Sequence, residues 1–243
     1  MINVRLTIQY DGTNYAGWQR QKNAVSIQQI IEEAIFSITK EKVNLISSGR
    51  TDSGVHALEQ VANFLTNTKI PLKSIPKAIN SKLPPDIRII SADEVSLDFH
   101  SRYSAIKKRY KYIMTNFSFE MPLYRNYAYN IPYKLDIEKM KQQAKSLIGT
   151  HDFVGFMGSG SSVKDTVRTI YDIDLYKKDD FIILEVEGNG FLYNMVRIIV
   201  GTLVDIGRGK INEDLTLIIE SKDRNKAGHT APAKGLFLKK VYY

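Results

Sequence analysis

The chain has 243 residues, of which 43% are hydrophobic and 25% charged, proportions typical of a globular protein with one large core or two smaller ones. It contains no cysteine, which excludes disulfides, thiolate metal sites and a cysteine nucleophile. The 34 lysines and arginines outnumber the 26 aspartates and glutamates, so the net charge is +8; this either favours a polyanionic partner or reflects a lysine-rich composition without functional content.

The first hundred residues predict the order strand, helix, strand, strand, helix, strand. Alternating polarity at 4–10 indicates a half-buried strand, and Ser26 with Gln29 forms a capping box before an apolar helical repeat that ends near Lys40. The other predicted elements of this half are strands at 43–47 and 57–65, a helix at 72–82 ended by Pro84, and a strand at 87–95. This order is that of a split βαβ, or ferredoxin-like, arrangement.

The second half predicts a similar order with longer connections, including a Gly/Ser-rich loop at 158–162. Its predicted elements are a strand at 104–116, a helix at 136–148, strands at 166–177 and 181–188, helices at 191–206 and 212–221, and a strand at 235–243. We therefore expect an α+β fold of two ferredoxin-like halves, residues 1–104 and 105–243. The halves are expected to share one mainly antiparallel sheet, with helices on one face and a cleft between them.

The connection at 13–24 mixes flat rings with cations. It contains Tyr15, the single tryptophan Trp18, Arg20 and Lys22, a combination suited to stacking on bases and contacting phosphates. Trp18 would equally well fill the edge of the core. The residues alone leave both interpretations open.

A compact charged loop at 48–56, with the sequence Ser-Gly-Arg-Thr-Asp-Ser-Gly-Val-His, separates two apolar segments. Gly49 and Gly54 allow a sharp turn that presents Arg50 and Asp52 two residues apart. In an ordinary turn Asp52 would bond local amides and Arg50 would be solvated. In a functional loop both charges would face a ligand.

Arg197 is the one charged residue in the apolar segment 191–204. Because burying an unpaired guanidinium is very costly, Arg197 must either reach solvent or find a carboxylate. If it is buried, Asp52 is the natural partner, and such a pair would keep the carboxylate ionised and oriented.

The densest basic segment is 107–113, whose alternation predicts a strand. One face carries Tyr110 and Tyr112, and the other carries Arg109 and Lys111. The segment is either a solvated edge strand or a surface for nucleic acid, which rings beside cations favour over a membrane.

No cofactor or metal site is indicated. The four histidines lie far apart without metal-ligand spacing, and the Walker A and dinucleotide-binding patterns are absent. The apolar segment 198–204 is too short to span a membrane, and the N-terminus lacks the features of a signal peptide. We therefore expect a cytoplasmic protein without a membrane partner.

Five segments, spread in order over almost the whole chain, resemble the tRNA pseudouridine synthase A family. The most specific is 48–57, which contains the pattern Gly-Arg-Thr-Asp-x-Gly-Val-His. Ser53 stands where the family usually has alanine, a small change that affects nothing essential. The other segments are 10–12, 109–112, 188–197 and 230–236.

The resemblance implies an isomerase that converts uridine to pseudouridine in the anticodon stem-loop of tRNA, at positions 38 to 40, as a homodimer without cofactor or metal. By the same resemblance Asp52 is the catalytic aspartate, Tyr110 the substrate-contacting tyrosine and Arg197 the arginine that pairs with the aspartate. Arg50 takes part in handling the substrate or moving the target base.

Such an enzyme must also take its target uridine out of the stack. Flipping costs a few kcal/mol, which contacts to phosphates and stacking in a basic cleft can offset. The cations expected to contact RNA are Arg20, Arg50, Arg102, Lys107 and Arg109.

Two other functions stay open from the residues alone. A non-catalytic RNA-binding module would use the same basic strand and rings, with Asp52 only capping a turn. A metal-dependent nuclease would use Asp11 and Asp52, although the ligand spacing typical of such enzymes is missing.

Overall fold

The order of the secondary-structure elements closely follows the predicted order in both halves. The computed structural model describes residues 1–161 and 163–243, so Ser162, the last residue of the predicted Gly/Ser loop, lies outside the described residues. The chain divides into two compact units, a first unit of Met1–Ile106 with Phe237–Tyr243 and a second unit of Lys107–Leu236.

The first unit contains a ferredoxin-like sheet. Its strands are β1 (Ile2–Tyr10), β2 (Ile46–Ser47), β3 (His56–Thr66) and β4 (Ile87–Val95), and its helices are α1 (Ile27–Thr39) and α2 (Ile75–Asn80). The strands lie in the order β4-β1-β3-β2, and each neighbouring pair is antiparallel. Val4, Leu6 and Ile8 of β1 are fully buried, which confirms the alternating strand predicted there.

Helix α1 begins as its capping box predicts. The Ser26 hydroxyl accepts a hydrogen bond from the Gln29 amide (3.3 Å), and Lys40 ends the helix in the left-handed conformation (φ 62°). Ile27, Ile31 and Ile35, spaced by one helical turn, are fully buried. The apolar repeat therefore faces the core of the first unit.

Two elements of the first unit are shorter than predicted. The strand expected at 43–47 is reduced to Ile46–Ser47, because the Leu45 amide donates to the Glu32 carboxylate of α1 (3.1 Å) rather than to a strand. The helix expected at 72–82 starts as a 3-10 turn at Leu72–Ser74, and α2 follows with Pro76 in its first turn.

The second unit repeats the alternation of strands and helices. Its elements are β5 (Lys107–Thr115), β6 (Tyr129–Asn130), α3 (Ile137–Lys145), β7 (Gly149–Asp152), β8 (Val167–Lys178), β9 (Phe181–Gly188), α4 (Met195–Gly207) and α5 (Leu215–Ser221). Strands β5, β9, β8 and β7 are antiparallel neighbours in that order, and β6 lies parallel to β5. The mainly antiparallel α+β class is confirmed, whereas the short strands β6 and β7 are absent from the sequence prediction.

Helix α4 begins at Met195 and not at Phe191, so the predicted start is wrong by four residues. Asn194 adopts the left-handed conformation (φ 59°), which asparagine tolerates and which a right-handed helix excludes. Its side-chain oxygen accepts a hydrogen bond from the Arg197 guanidinium (2.8 Å). Asn194, the residue directly before α4, is therefore hydrogen-bonded to Arg197 in the first turn of the helix.

The last strand, β10 (Leu236–Tyr242), returns the chain to the first unit. Phe237 and Leu238 pair in parallel with His56 and Ala57 of β3. The hydroxyl of the C-terminal Tyr243 donates to the Ser101 carbonyl (2.8 Å). These contacts join residues that are distant in sequence and place β10 in the first unit. The two compact units therefore differ from the expected halves 1–104 and 105–243 mainly at this strand.

Helix α4 is buried along almost its whole length, and the segment 227–232 lies directly against it. A Cβ atom at Gly201 would lie 1.7 Å from the main-chain oxygen of His229, and one at Gly228 would lie 2.6 Å from the Cα of Thr202. The two main chains therefore meet without an intervening side chain. Within residues 1–161 and 163–243, no helix combines the length and apolar character needed to cross a bilayer.

We expect Gly201→Ala to destabilise the protein by about 3 kcal/mol, because the added methyl group overlaps the His229 carbonyl. In an ordinary helix alanine is favoured over glycine by about 1 kcal/mol, so the expected sign is reversed. Urea unfolding measures the change. In the control Gly190→Ala, the new Cβ would lie 3.6 Å from Arg168, an ordinary contact, and stability should change little. A Gly201→Ala protein as stable as the parent would contradict this close packing.

Candidate active site

The Asp52 loop, residues 48–56, connects β2 to β3 in the first unit. Gly54 adopts φ 76°, the left-handed conformation that favours glycine, and the Val55 amide donates to the Asp52 carbonyl (3.1 Å) to close the turn. Gly49, the other predicted turn glycine, does not use this conformation. The Asp52 side chain is half-buried, whereas Arg50 is exposed.

Two glycines bring the connection after β1 into direct contact with this loop. A Cβ atom at Gly12 would lie 2.0 Å from the Val55 oxygen, and one at Gly17 would lie 2.5 Å from the Thr51 oxygen. The Trp18 amide donates to the same Thr51 oxygen (3.0 Å). The main chain is therefore held on both sides of Asp52.

Side-chain hydrogen bonds hold the loop as well. The hydroxyls of Tyr10 and Thr51 lie 2.8 Å apart, and burial raises the pKa of Tyr10 above its usual range, so the phenol stays protonated. Near the start of the loop, the Ser48 hydroxyl donates to Gln60 Oε1 (2.6 Å), and Gln60 Nε2 donates to the Gly49 carbonyl (2.9 Å). Sequence reasoning missed these hydrogen-bond partners. Tyr10 lies on β1, far from Asp52 in the chain, and Gln60 lies on β3, outside the segment 48–57.

The rings of the 13–24 connection belong to the core of the first unit. Trp18 is 1% exposed and Tyr15 8%, which confirms the interpretation of Trp18 as a core residue and leaves no ring face for a base. The Tyr15 hydroxyl donates to Asp86 (2.7 Å). Arg20 reaches the surface, where it forms an ion pair with Glu32 of α1 (2.9 Å).

Tyr110 lies on β5 in the second unit and is half-buried. Its ring contacts Phe191 edge to face, with the ring centroids 5.1 Å apart and the planes at 84°. Sequence reasoning gave Phe191 no role, although it lies in the 188–197 motif. Tyr112, on the same face, is fully buried and donates to the Pro232 carbonyl (2.7 Å), so Tyr110 is the tyrosine of this strand that a ligand can reach.

The cations of β5 face carboxylates on the neighbouring strands. Arg109 lies opposite Glu187 of β9 and contacts its carboxylate (3.0 Å), with Glu185 and Asp172 at 3.5 and 3.4 Å. Lys107 contacts Glu187 as well (2.7 Å). Burial alone would raise the pKa of Glu187, but the hydrogen bonds from both cations outweigh burial and keep this pKa below its usual value. The register between β5 and β9 therefore places basic side chains of β5 beside carboxylates, and together they form an ion-pair network.

Arg197 is half-buried on α4 in the second unit. Its Nε donates to the Ala231 carbonyl (2.7 Å), and its Nη1 donates to the side-chain oxygen of Asn194 (2.8 Å). These bonds hold the guanidinium by a main-chain carbonyl and an amide oxygen. Its pairing with Asp52, which lies in the first unit, stays a prediction.

Of the remaining predicted residues, Arg102 lies apart from these groups, whereas the Asp11 carboxylate lies 3.1 Å from Nδ1 of His56, the last residue of the Asp52 loop. Arg102, in the first unit, is exposed and lies over the ring of Tyr103, with 5.7 Å between Cζ and the ring centroid. Asp11 accepts a hydrogen bond from the Thr13 amide (2.9 Å) in the turn after β1. In the part of the chain that the structure describes, no group of three or more histidine, aspartate or glutamate side chains is arranged to hold a metal ion.

Comparison with known proteins points to the same family as the resemblance of the five sequence segments. A family model described as tRNA pseudouridine synthase matches residues 6–104 and 143–243. Proteins named tRNA pseudouridine synthase A are 58% identical to this chain in Thermoanaerobacter sp. (strain X514), 54% in Acetivibrio thermocellus and 48% in Clostridium acetobutylicum. Each of these alignments covers 100% of both chains.

The matches define the class of protein, an enzyme that modifies RNA by isomerisation. More closely, the chain belongs to the tRNA pseudouridine synthase family, whose enzymes convert uridine to pseudouridine. The two segments matched by the family model contain Asp52 and Arg197, and Tyr110 lies between these segments.

We expect Glu187→Gln to lower the free energy of unfolding at pH 7 by about 2 kcal/mol, because it removes the buried charge that pairs Lys107 and Arg109. The pKa of Glu187 is lower in the folded chain than its ordinary 4.5, so its contribution is complete above pH 4.5 and is lost as the pH falls through the folded value. The difference between variant and parent should therefore shrink below pH 4.5.

Urea unfolding at pH 7 and at lower pH measures both parts of this expectation. The matched control is Glu213→Gln, which breaks an ion pair with Lys226 in which both side chains are about half exposed. Its effect should stay below about 1 kcal/mol. A pH-independent loss in Glu187→Gln would contradict the assigned ionic role.

Proposed function

We propose that this chain isomerises uridine in the anticodon stem-loop of tRNA, at positions 38 to 40, with Asp52 as the nucleophile. The observation that carries the proposal is the Asp52 loop, whose main chain is held on both sides while its carboxylate is only half-buried. A carboxylate of ordinary acidity is ionised at neutral pH, so its use as a nucleophile requires position rather than activation.

The reaction breaks the N1–C1′ glycosidic bond, turns the uracil and joins C5 to C1′, with no net redox change. A carboxylate at this place serves three routes: attack on C1′, addition to C6, or removal of a sugar proton to give a glycal. Each route begins with the same ionised group. The fixed main chain around Asp52 limits where that group can be presented to the flipped nucleotide.

We assign three further side chains to the reaction. Tyr110 contacts the target uracil and removes or orients the C5 proton after the base is rejoined, and its contact with Phe191 sets the plane of its ring. Arg197 pairs with Asp52 and keeps the carboxylate oriented. Arg50, exposed beside Asp52, contacts the substrate.

The arginines and the lysine proposed from the sequence to contact RNA differ in the partners that they have within the protein. Arg102 is exposed and available to a phosphate. Arg20, Lys107 and Arg109 form ion pairs within the protein, so a contact with RNA would have to share or replace a carboxylate. We further propose that the enzyme acts in the cytoplasm and, as the resemblance implies, as a homodimer.

We expect Asp52→Asn to lower the rate of pseudouridine formation by at least about 1,000-fold while tRNA binding is retained, because the amide is no nucleophile. Release of tritium from tRNA labelled at C5 of uridine measures turnover, and transcripts with a single uridine at position 38, 39 or 40 locate the target. The control Asp93→Asn breaks a partly exposed ion pair with Arg5 and should keep parental activity.

Two results would contradict this proposal. Parental turnover by Asp52→Asn would remove Asp52 as the nucleophile. Salt-sensitive tRNA binding by the parent chain without product would instead favour the non-catalytic RNA-binding module.

We expect Arg197→Met to abolish activity while the protein stays folded, because the apolar side chain fits the helix but cannot orient a carboxylate. Tritium release and urea unfolding measure the two effects separately. The control Arg208→Met removes a cation from the end of the same helix, where it lies over Tyr133 (3.8 Å from Cζ to the ring centroid), and should affect stability more than turnover. Unchanged activity of Arg197→Met would mean that Arg197 serves only the fold.

A further inference from the structure

The segment 227–232 is bound to α4 beside the guanidinium of Arg197. The Ala231 amide donates to the Arg197 carbonyl (3.1 Å), and the Ala231 carbonyl accepts from Arg197 Nε (2.7 Å). The same residue therefore holds both the main chain and the side chain of the arginine. Any shift of Ala231 along the helix would move the guanidinium with it.

One turn further along α4, the segment contacts the helix main chain. The Gly228 amide donates to the Thr202 hydroxyl (2.9 Å), which in turn donates to the Ile198 carbonyl (2.7 Å). The missing side chain at Gly201 makes room for the His229 carbonyl. The contact positions on the helix are 197, 201, 202 and 205, which lie on one face.

Two turns along α4, about 12 Å from Arg197 along the helix axis, Asp205 binds His229. Its carboxylate accepts from His229 Nδ1 (2.9 Å) and from the His229 amide (3.3 Å), and the Asp205 residue is 8% exposed. A carboxylate only accepts hydrogen bonds, so Nδ1 carries the proton. In the neutral imidazole, Nε2 then accepts from the Tyr129 hydroxyl, 3.2 Å away.

Arg224 holds the other side of the segment. Its guanidinium donates to the carbonyls of Ala227 (3.3 Å) and Gly228 (2.9 Å) and to the Thr230 hydroxyl (3.3 Å). The main chain between 227 and 231 is thus fixed by Arg224 on one side and by α4 on the other. His229 is the residue of this segment whose side chain and main chain both bind one carboxylate of the helix.

We infer that the Asp205–His229 pair positions the Arg197 guanidinium, by fixing residue 229 so that the Ala231 carbonyl stands where Arg197 Nε requires it. The inference rests on the proposed role of Arg197 in the reaction. It makes Asp205 and His229 positioning residues, which act through Ala231 and touch no reacting atom.

A direct contact with RNA is the competing role for His229. Its side chain is 37% exposed and, with Asp205, lines a cavity of about 650 Å³ that Lys210 and Lys226 also line. A histidine that touched the substrate from this cavity would mainly affect binding. A positioning histidine affects the rate of the bound complex and leaves the Michaelis constant almost unchanged.

The experiment compares kcat and KM for tRNA in His229→Ala, His229→Asn and the parent chain. We expect kcat to fall about tenfold in His229→Ala, with KM within about twofold of the parent. Asparagine places an amide N–H where Nδ1 stands, so His229→Asn should regain more than about half of the parental kcat. The control Asp223→Asn removes a nearby charge whose carboxylate bonds Asn225, and should change neither constant.

A double-mutant cycle ties the effect to Arg197. In an Arg197→Lys background, which has no Nε donor for the Ala231 carbonyl, His229→Ala should lower kcat by less than about twofold. If Arg197→Lys and Arg197→Met both keep parental activity, the proposed function of Arg197 fails independently of this inference. If Arg197 matters but His229→Ala adds its full effect in the Arg197→Lys background, the positioning role is overturned.

Other outcomes are equally decisive. A raised KM with unchanged kcat in His229→Ala would overturn positioning in favour of direct RNA contact. Equal loss in His229→Asn and His229→Ala would overturn the role of the Asp205 bond. If urea unfolding shows His229→Ala to be unfolded, Asp205→Ala, which removes the acceptor oxygen of both bonds, carries the test with the same expected fall in kcat at constant KM.

Discussion

Direct packing of main chain against main chain, made possible by glycine, holds both segments that carry candidate catalytic side chains. In the first unit Gly12 and Gly17 bring the connection after β1 against the Asp52 loop. In the second unit Gly201 lets the segment 227–232 rest on α4 beside Arg197. Because no side chain fills these contacts, no change of rotamer can absorb a displacement, and the functional groups inherit the rigidity of the backbone.

The net charge of +8 gives no information on how the charged residues are paired within the fold. The segment 107–113 is the most basic in the sequence, yet Lys107 and Arg109 share the carboxylate of Glu187 across the sheet. Alternation along a strand predicts which residues share a face, but the register with the next strand decides their partners. Net charge is therefore compatible with a polyanionic partner and does not locate the surface that would bind it.

Local signals predicted most of the fold, and contacts distant in sequence account for most of the misses. The alternation of β1 and the capping box of α1 are complete within a few residues, so both elements were predictable. The start of α4 depends on Asn194, whose left-handed conformation accompanies its bond to Arg197, and β10 belongs to the first unit because it pairs with β3. Asp52, Tyr110 and Arg197 could be proposed from residue type and motif. Their supports, such as the carbonyls of Thr51 and Ala231, could not, because main-chain atoms are carried by any residue.

Protonated tyrosine hydroxyls form hydrogen bonds to both the Asp52 loop and the segment 227–232, and pH changes near neutrality do not ionise them. Burial raises the pKa of Tyr10, which bonds Thr51 in the Asp52 loop, and the pKa of Tyr112, which donates to the Pro232 carbonyl next to Ala231. Neither phenol ionises near neutral pH, so these hydrogen bonds persist there. Attack by an already ionised carboxylate gains little from tuned acidity and much from accurate placement. The pH dependence of turnover should therefore not report the ionisation of Tyr10 or Tyr112.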